Sequence, residues 1–109
     1  MHNKDLLPAL KALGHETRLA MIELLLSHSL CVRALARHLG ISEAAASQHL
    51  RILRMAGLVK GEKQGYWTHY AVQTEALARL GERLVRLQGE TGRLHDLNLD
   101  LCSGNTSNP

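Results

Sequence analysis

The stretch Val32-Arg33-Ala34-Leu35-Ala36-Arg37-His38-Leu39-Gly40-Ile41-Ser42-Glu43-Ala44-Ala45-Ala46-Ser47-Gln48-His49-Leu50-Arg51-Ile52-Leu53 decides the fold. Val32, Leu35 and Leu39 recur at helical spacing, and Gly40 supplies a stop. Ser42 can then cap a second helix, with Glu43 favoured in its first turn by the helix field. Ala36, four residues before the glycine, is small enough to let the two helices cross closely. Ala46, Leu50 and Leu53 form the inner face of the second helix. At about 100° per residue, Ala44, Gln48 and Arg51 point the other way, with Ala45 and Ser47 on the flanks. Short side chains interleaved with Gln and Arg suit insertion into a major groove, where those two residue types read base edges. The bland alternative is an ordinary helical corner with a solvated face.

Toward the C-terminus the period changes from helical to alternating. Leu58-Val59-Lys60-Gly61 and Tyr66 to Val72 read as two strands joined by Glu62-Lys63-Gln64-Gly65, where the glycine supplies a positive φ. All three aromatics of the chain lie in this hairpin. Its basic edge of Lys60, Lys63 and Gln64 would lie along a sugar-phosphate backbone or in the adjacent minor groove. A last helix starts near Thr74. Leu77, Leu80, Leu84, Leu87, Leu94 and Leu101 make a heptad-like seam on it, with Thr91 and Asn98 at the two skipped positions. Toward the N-terminus, Leu6, Leu10 and Leu13 mark a helix that tolerates Pro8 near its start and stops at Gly14. A further helix covers about His15 to His28, with Leu19, Ile22, Leu25 and Leu26 as its apolar stripe. The expected fold is mainly α with a small β-hairpin, a winged helix-turn-helix that dimerises through its N- and C-terminal helices. One domain spans 1–102, followed by a disordered tail over 103–109.

Composition narrows the function classes. The chain has 109 residues, 45% of them hydrophobic, no Phe and 3% aromatics, which suits packed Leu and Ala helices better than a large sheet. Net charge is +3, and the excess is local. From Arg33 to Lys63 six cations face two anions, while the remainder carries seven cations and eight anions. A polyanion is drawn to such a middle third. No apolar run approaches the ~20 residues that span a bilayer, and the N-terminus has no secretion signal. Two cysteines do not make a disulfide framework, so the expected compartment is the cytoplasm and no membrane partner is expected. No Gly-rich phosphate loop and no Ser/His/Asp or Cys/His arrangement points to catalysis. A winged helix used for protein contacts remains the alternative from another class.

Arg18-Leu19 through Val72, with Ala36-Arg37-His38-Leu39-Gly40-Ile41-Ser42, Ser47-Gln48-His49-Leu50 and Ala56-Gly57-Leu58-Val59, resembles the ArsR/SmtB family of winged helix-turn-helix repressors. The resemblance implies a homodimer, double-stranded operator DNA of imperfect two-fold symmetry, and repression relieved by an inducer. It makes Ser42 to Arg51 the recognition helix and Gly61 to Tyr66 the wing. The expected DNA contacts are then Arg37, Ser42, Ala44, Ala45, Ser47, Gln48, Arg51, Arg54, Lys60, Lys63 and Gln64. Ser47, Gln48 and Arg51 would face bases, and Arg37, Arg54, Lys60 and Lys63 would face phosphates. His49 falls beside the core in the helical projection and is read as structural.

Two ligand sites common in the family depart from pattern here. A Cys-x-Cys element at the third helix becomes Cys31-Val32-Arg33, and the last helix offers only His95 and Asp96, without paired i, i+4 ligands. The seven histidines include no i, i+4 pair. Cys31 and Cys102 remain as candidates for a thiophilic metal or metalloid ion such as arsenite, or for oxidant or reactive-sulfur chemistry. Equally, Cys31 can be a small buried hydrophobe and Cys102 an idle tail residue.

Overall fold

The computed structural model describes residues 2–96. They form α1 (Asn3–Leu13), α2 (Glu16–Ser27), β1 (Leu30–Cys31), α3 (Val32–Leu39), α4 (Glu43–Met55), β2 (Val59–Gln64), β3 (Trp67–Val72) and α5 (Thr74–Asp96). The strands make one antiparallel sheet in the order β1-β3-β2. The fold is therefore mainly helical with a small sheet, as expected, although that sheet has a third strand. β1 is two residues long, too short for alternation to show in the sequence.

Local chemistry sets the boundaries. Ser42 Oγ accepts the Ala45 N–H at 3.0 Å and caps α4. Gly40, at φ 66°, turns the chain out of α3 in the left-handed region, and the Ile41 N–H returns to the Ala36 carbonyl at 3.0 Å. His15 stands just outside α2, where its Nδ1 accepts the Thr17 N–H at 3.1 Å. Because α1 begins at Asn3, Pro8 lies inside the helix rather than near its start. The expected stripe of α2 is also rotated. Met21, Ile22 and Leu25 are buried, whereas Leu19 and Leu26 are about half exposed. Met21 fits the interior because its unbranched thioether fills irregular space.

The core gathers Ala46, Leu50 and Leu53 of α4 against Leu35 and Ala36 of α3, with Val59 and Val72 closing it from the sheet. Ala76 and Leu80 anchor the start of α5, and Arg83 Nη2 donates to Asn3 Oδ1 at 2.9 Å, joining α5 to α1. Beyond that point Leu84 is 42% exposed and Val85 68%. The side chains of Leu94 and His95, and everything from 97 onward including Leu101, Cys102 and the tail 103–109, lie outside the described residues.

One side chain ties three helices together. Arg18 of α2 donates through Nε to the Ala12 carbonyl at 2.6 Å and through Nη2 to the Lys11 carbonyl at 3.4 Å, satisfying the open end of α1. Its Nη1 lies 3.2 Å from Nδ1 of His49 on α4. Guanidinium has no acceptor, so Nδ1 accepts and the proton of neutral His49 sits on Nε2. The His15 ring lies 4.7 Å from that of His49. Burial, then the neighbouring His15, then Arg18 hold the His49 pKa below its ordinary value. Above the unfolded value of about 6.5 neither state binds this proton, so stability is unaffected. As pH falls below it the unfolded chain takes the proton first, and the folded state loses stability until it too protonates. Urea unfolding at pH 7.5 and 5 should therefore show a smaller acid loss in His49→Gln than in the parent, and an identical loss in both would remove the His49 contribution.

Candidate nucleic-acid interface

On α4 the packing of Ala46, Leu50 and Leu53 leaves a defined strip outward. Ala44, Ser47, Gln48 and Arg51 are exposed and Ala45 is partly covered, the order expected from the helical projection. Ser42 spends its hydroxyl on the cap, so its contribution to the surface is to hold the first turn in place. His49 is turned aside into contact with Arg18, consistent with a structural role.

The sheet lies beside this helix. Ser47, Leu50, Arg51 and Arg54 of α4 and Tyr70 of β3 line a shallow groove of about 190 Å³. Gly61 lies beneath Tyr70, where any β-carbon would come within 3.0 Å of the ring and 2.9 Å of the Thr68 methyl. A side chain at 61 would have to displace the Thr68 methyl and the Tyr70 ring. The register pairs Lys63 with Thr68 and Gly61 with Tyr70, which puts Lys63 on the sheet face that looks toward α4.

Strand alternation separates the other two basic-edge residues. Lys60 and Gln64 pair with Ala71 and Trp67 on the opposite face. Lys60 Nζ is also 3.3 Å from Glu62 Oε1, so part of its charge is offset. The turn is displaced from the expected four-residue loop. Glu62, Lys63 and Gln64 belong to β2, and Gly65-Tyr66 make a two-residue turn with Gly65 at φ 66°. Tyr66 therefore occupies the tip, fully exposed, a position that the sequence reading assigned to the strand. The Gly-Tyr pair was a legible hairpin signal masked by the stronger polar run before it.

Arg37 stands exposed on α3, one helix away from the strip. Among the described residues, Arg37, Arg51, Arg54 and Lys63 have no carboxylate within ion-pair distance. Cys31 is partly buried at the junction of β1 and α3, and its partner in the proposed pair, Cys102, lies outside the described residues. Among the described residues, no group of three His, Cys, Asp or Glu side chains is placed to hold a metal ion, and no helix is long and apolar enough to cross a membrane.

Comparison with known proteins agrees with this arrangement. Residues 15–60 match the pattern of the bacterial regulatory proteins of the arsR family. The arsenical resistance operon repressor of Escherichia coli is 36% identical over 105 residues, covering 90% of this chain and 89% of that protein. The structure of an ArsR-like transcriptional regulator from Rhodococcus sp. RHA1 superposes with a TM-score of 0.80 at 26% identity, covering 96% of both chains. The homodimeric winged helix-turn-helix DNA-binding domain of a possible ArsR-family regulator from Mycobacterium bovis does so with 0.67 at 29% identity, covering 84% of both. The chain belongs to the ArsR family of bacterial transcription regulators, and is a DNA-binding winged helix-turn-helix protein rather than an enzyme.

Proposed function

We propose that the chain is a cytoplasmic, homodimeric repressor that grips double-stranded operator DNA through α4 and the wing, and lets go when a thiol-reactive inducer meets Cys31. The observation that carries the DNA contact is the α4 strip of short and base-reading side chains, flanked by Arg37, Arg54 and Lys63, which have no carboxylate partner among the described residues. Ala44 and Ala45 allow close approach, and Ser47, Gln48 and Arg51 face base edges. Arg37, Arg54 and Lys63 take phosphates, with Lys60 and Gln64 contributing from the far face of the wing. A dimer sets two such strips in successive major grooves about 34 Å apart. The exposed leucines of the α5 seam, Leu84 and Leu87, support that assembly, as does the homodimeric relative from Mycobacterium bovis.

The inducer follows from the thiol and from kinship. The relative in Escherichia coli is named for arsenical resistance, but Arg33 stands where a Cys-x-Cys element would need its second sulfur. Cys31 therefore acts with Cys102 or across the dimer, on arsenite or another soft ion, or through an oxidant or reactive sulfur species.

Fluorescence anisotropy on the gene's own upstream region, with reduced protein, tests the DNA contact. Gln48→Ala should cost about 1–3 kcal/mol on the operator and little on random duplex; equal losses on both would make Gln48 a backbone contact. Lys63→Ala should weaken both and lower the salt slope by about one, whereas an unchanged slope would remove the wing from the interface. Leu84→Glu should sediment as a monomer and bind operator far more weakly; a dimer that survives it would place the interface elsewhere. Arsenite, a thiol oxidant or a persulfide donor should release the parent from DNA and leave Cys31→Ser bound, and release of both alike would rule out the Cys31 switch.

A further inference from the structure

The antiparallel register places Cys31 of β1 opposite His69 of β3, and His69 opposite Glu62 of β2. A thiol, an imidazole and a carboxylate thus stand in one row across one face of the sheet, with Cβ atoms of adjacent pairs about 4.5–5.5 Å apart. Trp67, two residues before His69, shares that face. Here the molecule opens into a cleft of about 400 Å³ lined by Cys31, Arg33, Ala34, Arg37 and Trp67. Arg33 and Arg37 are one helical turn apart on α3, and among the described residues neither has a carboxylate partner. The indole of Trp67 is half exposed at the cleft wall. Among the described residues, Nδ1 of His69 is buried without a hydrogen-bond partner, which is costly unless something else engages it.

We propose that this cleft binds a small anion carrying an electrophilic centre, held by Arg33 and Arg37 against the Cys31 thiol, with His69 as the positioning residue that accepts the thiol proton. The proposal rests on Cys31 being the reactive thiol, and adds which reagents reach it. A thiolate repels an anionic electrophile, so such a reagent is ordinarily disfavoured. Two guanidinium forks one turn apart reverse that penalty, because each offers parallel N–H donors to a carboxylate or oxyanion. A neutral electrophile gains nothing from them. The sheet row supplies the base, and Trp67 narrows the approach so that the anion lies beside the sulfur.

Iodoacetate and iodoacetamide are matched probes of this selectivity. In each, the Cys31 thiolate attacks the methylene, a C–S bond forms, the C–I bond breaks, and iodide leaves with the electron pair. The thiol proton passes to His69. Alkylation of the reduced, full-length protein is followed by peptide-resolved mass spectrometry, so that Cys31 is read separately from Cys102. The ratio of the iodoacetate rate to the iodoacetamide rate at Cys31 should exceed that of the urea-unfolded chain by about tenfold, and shrink with added salt. Arg33→Gln and Arg37→Gln should each lower the ratio while sparing the iodoacetamide rate, which also reports that the cleft remains folded. Arg37→Lys should keep part of it. His69→Gln should slow both reagents equally. A native ratio equal to the unfolded one, a ratio indifferent to both arginines, or a Cys31 that reacts with neither reagent would overturn the anion site. Unchanged rates in His69→Gln would overturn the role of the imidazole. Operator affinity after complete Cys31 alkylation separates this from the switch: tight binding by the alkylated protein would remove Cys31 as the release device while leaving the anion site intact.

Discussion

The close crossing of α3 on α4 is the constraint from which the outward surface of α4 follows. Ala36 and Ala46, both buried, let the two helices approach to a distance that larger side chains would prevent. Once Ala46, Leu50 and Leu53 are committed to that contact, helical geometry leaves no freedom in what α4 presents outward. The exposed strip of Ala44, Ser47, Gln48 and Arg51 is thus a consequence of the core, and so is its rigidity. Ser42 and Gly40 hold the crossing angle from the ends, one by capping α4 and the other by turning sharply out of α3. A helix set on a packed crossing positions its outward donors better than a loop would, because any shift of its axis must disturb buried contacts.

The same helix is tied to the far side of the molecule by Arg18. Its guanidinium satisfies two carbonyls at the end of α1 and donates to His49 on the inner flank of α4. α1 in turn receives α5 through the Asn3–Arg83 hydrogen bond. Specific polar contacts therefore link α5 to α1 and join α1, α2 and α4, without passing through the sheet. His49 is the titratable link among them. This gives His49 a mechanical reason for being there, since a histidine with its proton on Nε2 is a compact acceptor that fits between an arginine and a helix.

Most of this was legible in the sequence because helical periodicity and capping chemistry are local. The limits of α3, the Ser42 cap and the outward order of α4 all follow from residues within one turn of each other. What was not legible depended on distant partners. The two-residue strand β1 exists only because β3 is there to pair with it. The rotation of α2, which buries Met21 and exposes Leu19 and Leu26, reflects where α3 and the sheet come to lie, and five leucine-like residues in one helix offer no local way to choose among faces. The candidate site followed the same division. Ser47, Gln48 and Arg51 could be placed from one helix, but Lys60, Lys63 and Gln64 looked like one basic edge because composition does not record pleat.

That pleat has a functional consequence. Residues alternate between the two faces of β2, so the wing carries different chemistry on each side. Lys63, with Thr68 and Tyr70, continues the cationic surface of α4 across the groove that Arg51 and Arg54 line. The reverse side holds Lys60 with its Glu62 partner, then His69, Trp67 and, across β3, Cys31. A single thin sheet therefore separates the face of Lys63, Thr68 and Tyr70 from the face that carries Cys31, His69 and Trp67, with only the thickness of the backbone between them. Any adduct that displaces Trp67 or alters the β1–β3 pairing must move Thr68 and Tyr70 as well, because they are sequence neighbours on the same strand. On the proposed function, an adduct at Cys31 would reach Lys63 through the backbone pairing of β1 with β3 and of β3 with β2, rather than through a relay of side chains.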